Sequence, residues 1–553
     1  MRALLLLASL STVICVSVSG FGATWYVDSS VSSSGDGKSW DTAFKTIQEG
    51  IDAAQESDEV MLAPGLYFGA GNLNLDFGSK EISVVSRDGP WATMIGSSRY
   101  HNGVSHLGSS SIQGITITGA MTGVLCDGCS GSIEGCIFGY CLTAIALSNS
   151  DVKVTDCIIT DSLGWCVDCT SNSSLTISGC TISGGGGVRF SGNSVGVMND
   201  CTVSGSAEDG VRGEEPSNVA LTRCALSDNQ TYGVVSYGPS LTVVDSIVAR
   251  NSQAGIHCGS NTEFSISGCR IMDNGRGQPR AGGGGLSLTS DGAGEVVSCF
   301  LSGNNAGRGG GVYSGPGHPA SAVPTRFVNC TFLQNTAELG GSVHCGEGSC
   351  SIFINCTLWE GTAEYGSAVY CTEGSPVFTN CVLWGATPWP IYCVGMSSPA
   401  ITYCSIREGW SGEGNSKARP LFLGEAVGDF RHAPNSPCVD AGSNEATGLP
   451  EFDMQGIHRI MFGGKSLTVD IGAYEFHIWP PIEDRQTGDL TLKWSSLMDN
   501  TYSVYRSGDM LTWELAADDV ASMGDTVTTW IDPTMPLLLP EVPRRYYKIM
   551  EKQ

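Results

Sequence analysis

One cysteine motif recurs along most of this chain and restricts the folds that the chain can adopt. The motif is a small or polar residue, a cysteine, any residue, and then an aliphatic or aromatic residue, as in residues 135–138 (Gly-Cys-Ile-Phe). Its cysteines are Cys136, Cys157, Cys180, Cys201, Cys224, Cys269, Cys299, Cys330, Cys356, Cys381 and Cys404. With Ser246 counted in the same position, successive motifs are 21 to 31 residues apart. A unit this short cannot bury its own apolar side chains, so successive units must stack.

Two more short runs with alternating polarity lie between successive cysteine motifs. One reads Gly-Val-x-Cys or a relative of it, as in residues 123–126 (Gly-Val-Leu-Cys), and the other precedes the motif, as in residues 174–178 (Ser-Leu-Thr-Ile-Ser). Each repeat therefore predicts three short strands separated by Gly, Ser and Asn turns. Three strands in each repeat of about 22 residues favour an all-β, right-handed parallel β-helix, because left-handed hexapeptide helices and calcium-binding nonapeptide arrays carry other signatures.

Charge and composition exclude several other classes of protein. The chain has Lys+Arg 29 against Asp+Glu 55, a net charge of −26, which argues against binding nucleic acid phosphates. Only 15% of residues are charged, which argues against a helical bundle. A hydrophobic share of 41% at this low charge density argues against disorder.

The first residues predict an export signal. A single charge at Arg2 is followed by an apolar run to residue 18 and by the small residues Ser19 and Gly20. This pattern is typical of a secretory signal peptide, whereas a membrane-spanning helix needs about 20 apolar residues. We therefore expect a secreted protein, in the extracellular space, the periplasm or at the cell surface, with no transmembrane segment.

The remaining boundaries follow from where the repeats begin and end. Asp41 is a candidate N-cap for a helix to Ala54 that would cover the open end of the first coil. Beyond residue 478 the repeats give way to longer strand patterns, which predict a small β-sandwich similar to fibronectin III. The predicted segments are 1–20 signal peptide, 24–57 N-terminal strand and capping helix, 58–415 β-helix, 416–477 closing segment and 478–553 β-sandwich.

The repeated cysteines predict packing rather than cross-linking. Alternation along the strand turns the motif cysteines inward, where coils stack about 4.8 Å apart and the parallel Cβ vectors do not suit a disulfide. We expect a column of buried free thiols. Residues 126–129 and 166–169 (Cys-x-x-Cys in both) each resemble half of a zinc site, but no second pair follows at zinc-ribbon spacing, so we do not expect zinc there.

The third position of the Gly-Val-x-Cys run predicts an outward-facing row, called here the outer row. Its residues are Leu125, Ala146, Asp168, Arg189, Arg212, Val235, His257, Ser287, Tyr313, His344, Tyr370 and Tyr392. Tyrosine rings offer faces on which sugars stack, and arginine offers two parallel hydrogen bonds to a uronate carboxylate. Tyr313, His344, Tyr370 and Tyr392 are the candidate substrate-binding residues. The alternative is that these residues simply cover a solvated sheet.

The longer coils between Cys269 and Cys356 place insertions beside this row. They carry Arg276, Arg280, Arg308 and His318. Such loops would either wall a cleft or be tolerated as surface excursions.

Several segments resemble a known superfamily. Residues 25–28 (Trp-Tyr-Val-Asp) and 35–40 (Gly-Asp-Gly-Lys-Ser-Trp) resemble the start of secreted bacterial β-helix proteins of the pectin-lyase-like superfamily. Residues 428–431, 436–442 and 469–475 resemble the closing segment named choice-of-anchor Q. The coil around residues 332–341 is similar to repeats of chlamydial polymorphic outer membrane proteins, which are surface adhesins.

This resemblance implies fold more strongly than activity. Pectate lyases use calcium held by aspartates and an arginine base, but residues 276–280 do not match that arginine motif. Polygalacturonases use a paired Asp-Asp, and the one such pair here, at 518–519, lies in the C-terminal module.

By position alone, a lyase would use residues at the charged end of the outer row. Arg212 or His257 would abstract the proton beside the uronate and Arg189 would stabilise the enolate. Asp168 or Asp209 would recruit Ca²⁺, the one candidate cofactor.

Two functions therefore remain open from the sequence. The first is a monomeric, noncatalytic or adhesive protein that binds extracellular polysaccharide or cell-surface glycan along the outer row. The alternative is a polysaccharide lyase or related uronate-acting enzyme.

Overall fold

Three long parallel β-sheets form the body of the protein. The computed structural model describes residues 22–260, 262–276, 282–289, 294–315, 324–385, 389–461, 463, 466–476, 478–483, 490–495, 501–507, 514–521, 527–532 and 546–551. The three sheets contain 16, 14 and 15 strands, and each coil of the chain contributes about one strand to each sheet in turn. The predicted signal peptide lies outside the described residues.

Sheet 1 is built from the run that precedes the cysteine motif. Its strands are Thr24–Val27, Glu59–Leu62, Ser83–Ser86, Ser111–Gln113, Ser132–Glu134, Asp151–Thr155, Ser174–Ser178, Val195–Asn199, Asn218–Thr222, Ser240–Val244, Glu263–Ser267, Gly294–Val297, Arg326–Val328, Ile352–Ile354, Val377–Thr379 and Ala400–Thr402.

Sheet 2 is built from the Gly-Val-x-Cys run. Its strands are Leu75–Asp76, Val104–His106, Thr122–Asp127, Thr143–Ser148, Val167–Thr170, Val188–Phe190, Val211–Gly213, Val234–Ser236, Ile256–Cys258, Leu286–Leu288, Val312–Ser314, Val343–Cys345, Val369–Thr372 and Ile391–Val394.

Sheet 3 begins just after the motif cysteine. Its strands are Gly65–Tyr67, Thr93–Gly96, Thr116–Thr118, Ile137–Gly139, Ile158–Thr160, Thr181–Ser183, Thr202–Ser204, Ala225–Ser227, Ile247–Ala249, Arg270–Met272, Phe300–Ser302, Thr331–Leu333, Thr357–Trp359, Val382–Trp384 and Ser405–Ile406.

The motif cysteines form the predicted inner column of free thiols, and all of them are buried. The column is held by backbone hydrogen bonds to sulfur: the Cys157 amide donates to Cys180 Sγ at 3.3 Å. Where the motif lacks a cysteine, Ser246 takes the position, and its Oγ accepts from the Cys224 amide at 3.0 Å. At the last coil Asn415 Oδ1 accepts from the Cys404 amide at 3.0 Å.

A second inner column consists of asparagines at the turn after sheet 3, and the sequence analysis missed it. Its members are Asn229, Asn251, Asn274, Asn304 and Asn335, each at most 1% exposed. From Asn251 onward each side-chain oxygen accepts from the preceding asparagine, as Asn274 Oδ1 does from the Asn251 amide at 3.0 Å and from Asn251 Nδ2 at 2.9 Å. Asn229 Oδ1 accepts from the Ser206 amide at 3.0 Å. The signal was present, because an asparagine stands five residues after the motif position in five consecutive repeats.

The N-terminal cap differs from the prediction. The helix is Ile47–Ala53, and Thr46 rather than Asp41 is its N-cap, because Thr46 and Glu49 form a capping box. Asp41 lies in a separate 3₁₀ turn, Trp40–Thr42. Ile47 and Ile51 are buried in the same apolar core as the coils, so the helix covers their open end.

The closing segment packs on the outer face of sheet 3. It contains the antiparallel strands Phe422–Gly424 and Asp429–His432 and a 3₁₀ turn, Glu425–Val427. Arg459, fully buried, pairs with Glu475 at 2.8 Å and also donates to Asn329 of a coil turn. Removing one partner of such a buried pair costs about 3–5 kcal/mol, so this contact holds the segment down.

The C-terminal strands form two three-stranded antiparallel sheets. They are Ile478–Glu483, Leu490–Ser495 and Val527–Asp532 in one sheet, and Thr501–Ser507, Glu514–Ala521 and Tyr546–Glu551 in the other. A fibronectin III arrangement stays a prediction. In the described part of the chain, no helix is both long and apolar enough to cross a bilayer.

Candidate binding face

The register of the outer row is the one that the sequence predicts, but not every member faces solvent: the buried ones are Val235 (0% exposed), His344 (3%), Ser287 (6%), His257 (9%) and Tyr370 (9%). Each of its twelve residues is the direct partner of the next one in the parallel register of sheet 2. The flanking positions point inward, since Val124 and Cys126 are fully buried while Leu125 between them is half-buried. Neighbouring strands lie about 4.8 Å apart, so the row presents one side chain at each such step.

At the charged end of the row, Arg189 and Arg212 are already paired with carboxylates. Arg189 makes two hydrogen bonds of 2.8 Å to the two oxygens of Asp168. These bonds raise the pKa of Arg189 and outweigh the opposing effect of burial. An arginine held in this way remains charged and is not suited to accept a proton.

Arg212 is engaged by two carboxylates. Its guanidinium lies 2.9 Å from Asp209 and 3.1 Å from Glu214. Burial lowers the pKa of Arg212, but the hydrogen bonds to both carboxylates outweigh it and raise the pKa overall. Asp209 is 3% exposed and also accepts from the Tyr232 amide at 3.2 Å. Asp168 and Asp209 therefore each face an arginine.

His257 lies further along the row in an aromatic setting. Its ring stacks on Tyr232 at 5.1 Å and meets the edge of Tyr237 at 5.6 Å. Burial lowers the pKa of His257, so the ring is neutral at pH 7. Its Nδ1 has no hydrogen-bond partner among the described residues.

The far end of the row is a continuous series of rings. Tyr313 meets His344 edge-on at 5.3 Å, His344 meets Tyr370 at 5.0 Å, and Tyr370 stacks on Tyr392 at 5.8 Å with 9° between the planes. Burial and the nearby Arg308 lower the pKa of His344 to about 4. His344 Nδ1, like that of His257, has no partner among the described residues.

An additional wall stands beside these rings. The strands Asn305–Arg308 and Thr336–Leu339 pair in parallel, and single bridges extend the pairing to Gly282 and Tyr365. The space between wall and row is a cleft of about 440 Å³, lined by Gly282, Gly307, Arg308, Tyr313, Glu338 and Leu339. The two wall strands lie in the insertions that the sequence marks between Cys269 and Cys356.

Arg308 is the insertion residue that reaches this cleft. Its side chain is exposed, and no ion pair joins it to a described carboxylate. Arg276 instead pairs with Asp273 at 2.8 Å. Arg280 and His318 lie outside the described residues.

The structure adds two rings that the sequence analysis missed, Tyr365 and Trp389. Their rings stack at 6.3 Å with 7° between the planes, and Tyr392 packs against both, at 4.9 Å from Tyr365 and 6.1 Å from Trp389. Trp389 is 51% exposed. The three rings, called here the aromatic platform, lengthen the ring series toward solvent.

No group of three His, Cys, Asp or Glu side chains converges as a metal site within the ranges that the structure describes. A calcium role for Asp168 or Asp209 would require the ion to displace an arginine.

Comparison with known proteins agrees on the fold. A family model described as a right handed beta helix region matches residues 165–321. This match, with the parallel sheets, confirms the predicted right-handed parallel β-helix. No curated protein matches the sequence.

Solved structures with the same kind of coil overlap at low identity. Pectate lyase Pel9A is 12% identical, with 82% of this chain and 96% of that chain covered and a TM-score of 0.27. The Azotobacter vinelandii mannuronan C-5 epimerase AlgE4 A-module is 13% identical, with 71% and 100% covered and a TM-score of 0.34. Bacteriophage CBA120 tailspike protein 3 is 13% identical, with 64% and 57% covered and a TM-score of 0.35. Each TM-score is below 0.5, so the function of this chain rests on its own residues.

Proposed function

We propose that this protein binds an extracellular polysaccharide, without chemical turnover, along the ring end of the outer row. The observation that carries the proposal is the in-register series of rings from Tyr313 to Tyr392, which the aromatic platform continues into solvent. His344 and Tyr370 are buried and support the half-buried rings of Tyr313 and Tyr392, so a sugar would contact those two rings and the rest of the platform. Tyrosine and tryptophan combine an apolar face with a polar edge, the combination that a sugar ring with its hydroxyls requires.

Charge pairing supports placing the ligand at the ring end. Arg189 and Arg212 together face three carboxylates, those of Asp168, Asp209 and Glu214. A uronate carboxylate would have to displace one of these partners before it could pair with either guanidinium. Arg308, which is exposed and makes no ion pair with a described carboxylate, adds hydrogen-bond donors on the wall side of the cleft.

The lyase alternative is favoured by one observation, the two neutral imidazoles on the row. Proton abstraction needs a base whose pKa lies near the working pH, and a neutral His257 meets this requirement better than Arg212 does. In this alternative Arg189 would act as the enolate stabiliser and Asp168 or Asp209 would need to exchange its arginine for Ca²⁺.

Affinity electrophoresis of residues 21–553 in gels containing neutral or uronate polysaccharides tests the proposal. The double variant Trp389→Ala/Tyr392→Ala removes two rings of the platform, and we expect binding to weaken about tenfold or more, which is about 1.4 kcal/mol or more. The reason is that two apolar faces on which a sugar would stack are lost. The matched control is Trp91→Ala, because Trp91 is 83% exposed and lies in an early coil.

If polysaccharide retards the double variant as strongly as it retards the wild type, the platform is not the binding site. A rise in ultraviolet absorbance from unsaturated uronate products on any substrate would replace the binding proposal by the lyase alternative. In that case loss of turnover in His257→Gln, with retained binding, would identify the base.

A further inference from the structure

The coils that carry the ring end of the outer row contain acidic side chains and no permanently basic ones. Between Arg326 and Arg407 the sequence has no lysine or arginine, and its one histidine there, His344, is neutral at pH 7. The same segment has a formal charge of −5, from Glu338, Glu347, Glu360, Glu364 and Glu373.

Two of these glutamates stand on the wall beside the rings. Glu338 lines the cleft together with Tyr313. Glu364 lies in the segment that continues the wall, where its backbone amide donates to the Glu338 carbonyl at 3.1 Å. Both side chains are exposed, and the Glu364 carboxylate raises the pKa of the neighbouring Tyr365 hydroxyl. The wall therefore places negative charge beside the aromatic platform.

Two more glutamates lie at the opposite border of the ring end, where strands of sheet 2 finish. Glu373 directly follows the strand Val369–Thr372, and Glu347 lies two residues after the strand Val343–Cys345. Their turns are neighbours, because the Gly348 amide donates to the Glu373 carbonyl at 3.1 Å. Both side chains are exposed. Carboxylates therefore border the rings at both ends of the strands.

The arginines nearest to these coils do not balance the four glutamates. Arg326 pairs with Glu295 at 3.2 Å on sheet 1, and Arg407 donates to the Gly385 carbonyl at 3.2 Å. Among the side chains that line the cleft, Arg308 is the one cation. Its guanidinium donates hydrogen bonds as readily to the hydroxyl groups of a neutral sugar as to a carboxylate.

We propose that the ring end selects a neutral polysaccharide and rejects one that carries a carboxylate on each sugar, an inference that rests on the binding function proposed above. Exposed like charges repel over about 10 Å at 0.1 M salt and about 30 Å at 0.01 M. One exposed glutamate alone would change the affinity little. A polyuronate, however, would bring a row of charges between the two acidic borders, whereas a neutral chain meets no repulsion there.

Isothermal titration calorimetry with each polymer in two charge states tests the proposal. The probes are a soluble β-glucan, a mannan and a galactan, each used unmodified and after oxidation of its primary hydroxyl groups to carboxylates. At about 10 mM salt we expect residues 21–553 to bind the oxidised form of a polymer about tenfold or more weakly than the unmodified form. At about 1 M salt, where charges are screened beyond about 3 Å, the difference should shrink to about threefold or less.

Two double variants with the same change of charge locate the source of the discrimination. Glu364→Gln/Glu373→Gln should bind the oxidised polymer about threefold more tightly than the wild type at low salt, because one carboxylate is removed from each border. The matched control is Glu134→Gln/Glu263→Gln, which changes two exposed glutamates on sheet 1 and should leave that affinity unchanged.

The outcomes separate this inference from the function on which it rests. Equal affinity for the oxidised and unmodified forms at low salt would overturn the charge selection and leave polysaccharide binding intact. An equal gain in the sheet 1 control would overturn the assignment to the ring end, because the total charge of the chain would then be the cause. If no polymer binds in either charge state, the proposed function itself is wrong.

Discussion

The asparagine column inside the coils and the outer row on sheet 2 both contain one residue from each coil, but their polar side chains differ in how they are hydrogen-bonded. Inside, Asn251, Asn274 and Asn304 each donate to the next asparagine and to a backbone carbonyl, as Asn274 does to Asn304 Oδ1 and the Val248 carbonyl. Outside, side chains change from coil to coil, and His257 and His344 each keep a buried Nδ1 that has no partner among the described residues. The uniform repeats therefore satisfy their polar groups among themselves, whereas the varied positions of the outer row leave some polar atoms without a described partner.

The largest loss of stability should follow from interrupting the asparagine column. Asn274→Ala removes the acceptor of the Asn251 amide and Nδ2 and leaves Asn304 Oδ1 with fewer donors. Because unsatisfied buried polar groups cost about 1–3 kcal/mol each, we expect a loss of about 4 kcal/mol in the free energy of unfolding. Denaturant unfolding measures this loss.

The matched control for the column is Asn193→Gly, because Asn193 has a φ of 66°, which glycine adopts without the strain that alanine would add. Asn193 also bonds to an asparagine of the neighbouring coil, Asn172, at 3.0 Å, but that pair is exposed. A loss at position 274 no larger than that at position 193 would contradict the role assigned to the buried column.

A smaller effect on stability should come from His344 in the outer row, and it should depend on pH. The pKa of His344 is lowered to about 4 in the folded state, below the usual value of about 6.5 for the unfolded chain. The folded state thus binds fewer protons, so the contribution of His344 to stability is complete above about pH 6.5 and is lost as pH falls toward 4. The loss amounts to at most about 3 kcal/mol.

Comparison of His344→Gln with the wild type isolates this contribution from other titrating groups. The difference in melting temperature between the two proteins should narrow or reverse between pH 7 and pH 4.5. A constant difference across this range would mean that His344 is not held in its neutral form.

The smallest expected effect is on polysaccharide binding and should come from narrowing the cleft beside Tyr313. A Cβ atom at position 282 would lie 2.7 Å from Tyr313 Cδ1, so Gly282→Ala should displace the Tyr313 ring. We expect polysaccharide binding to weaken a few-fold, because one ring of the series is moved and none is removed. The control is Ser287→Ala, which changes a neighbouring strand residue without moving a ring. A second glycine such as Gly456 is less suitable, because its φ of +81° would strain an alanine there.

Stronger binding by Gly282→Ala, or an equal loss in Ser287→Ala, would show that Tyr313 does not contribute as part of the ring series. Isothermal titration calorimetry with the polysaccharide that retards the wild type in affinity electrophoresis resolves differences of this size.

Much of the architecture could be predicted because the repeat is nearly regular. The motif cysteines turn inward by strand alternation, and the same alternation places Arg189, His257 and Tyr370 outward, so the register of the row followed from alignment alone. The N-cap was predicted at Asp41 and lies at Thr46, because both residues satisfy the N-cap preference and only Thr46 has Glu49 three residues later.

The pairing of row residues could not be derived with the same certainty. Asp168 and Arg189 were assigned separate roles, although they occupy equivalent positions in adjacent coils and carry opposite charges. Opposite charges at one stacking step attract each other before any ligand arrives, and the structure shows that the two side chains bind each other. A calcium ligand and an enolate stabiliser at these two positions therefore require this ion pair to open.

The sequence by itself determined the coil, its three strands, the inward cysteine column and the order of residues along the outer row, because these depend on local alternation and a constant repeat length. Only the tertiary structure decided which outer residues contact one another. The pairing of Asn305–Arg308 with Thr336–Leu339 and the stacking of Tyr365 on Trp389 join segments whose lengths depart from the repeat. Their positions depend on how the insertions pack on the neighbouring coil, and no period in the sequence encodes that contact.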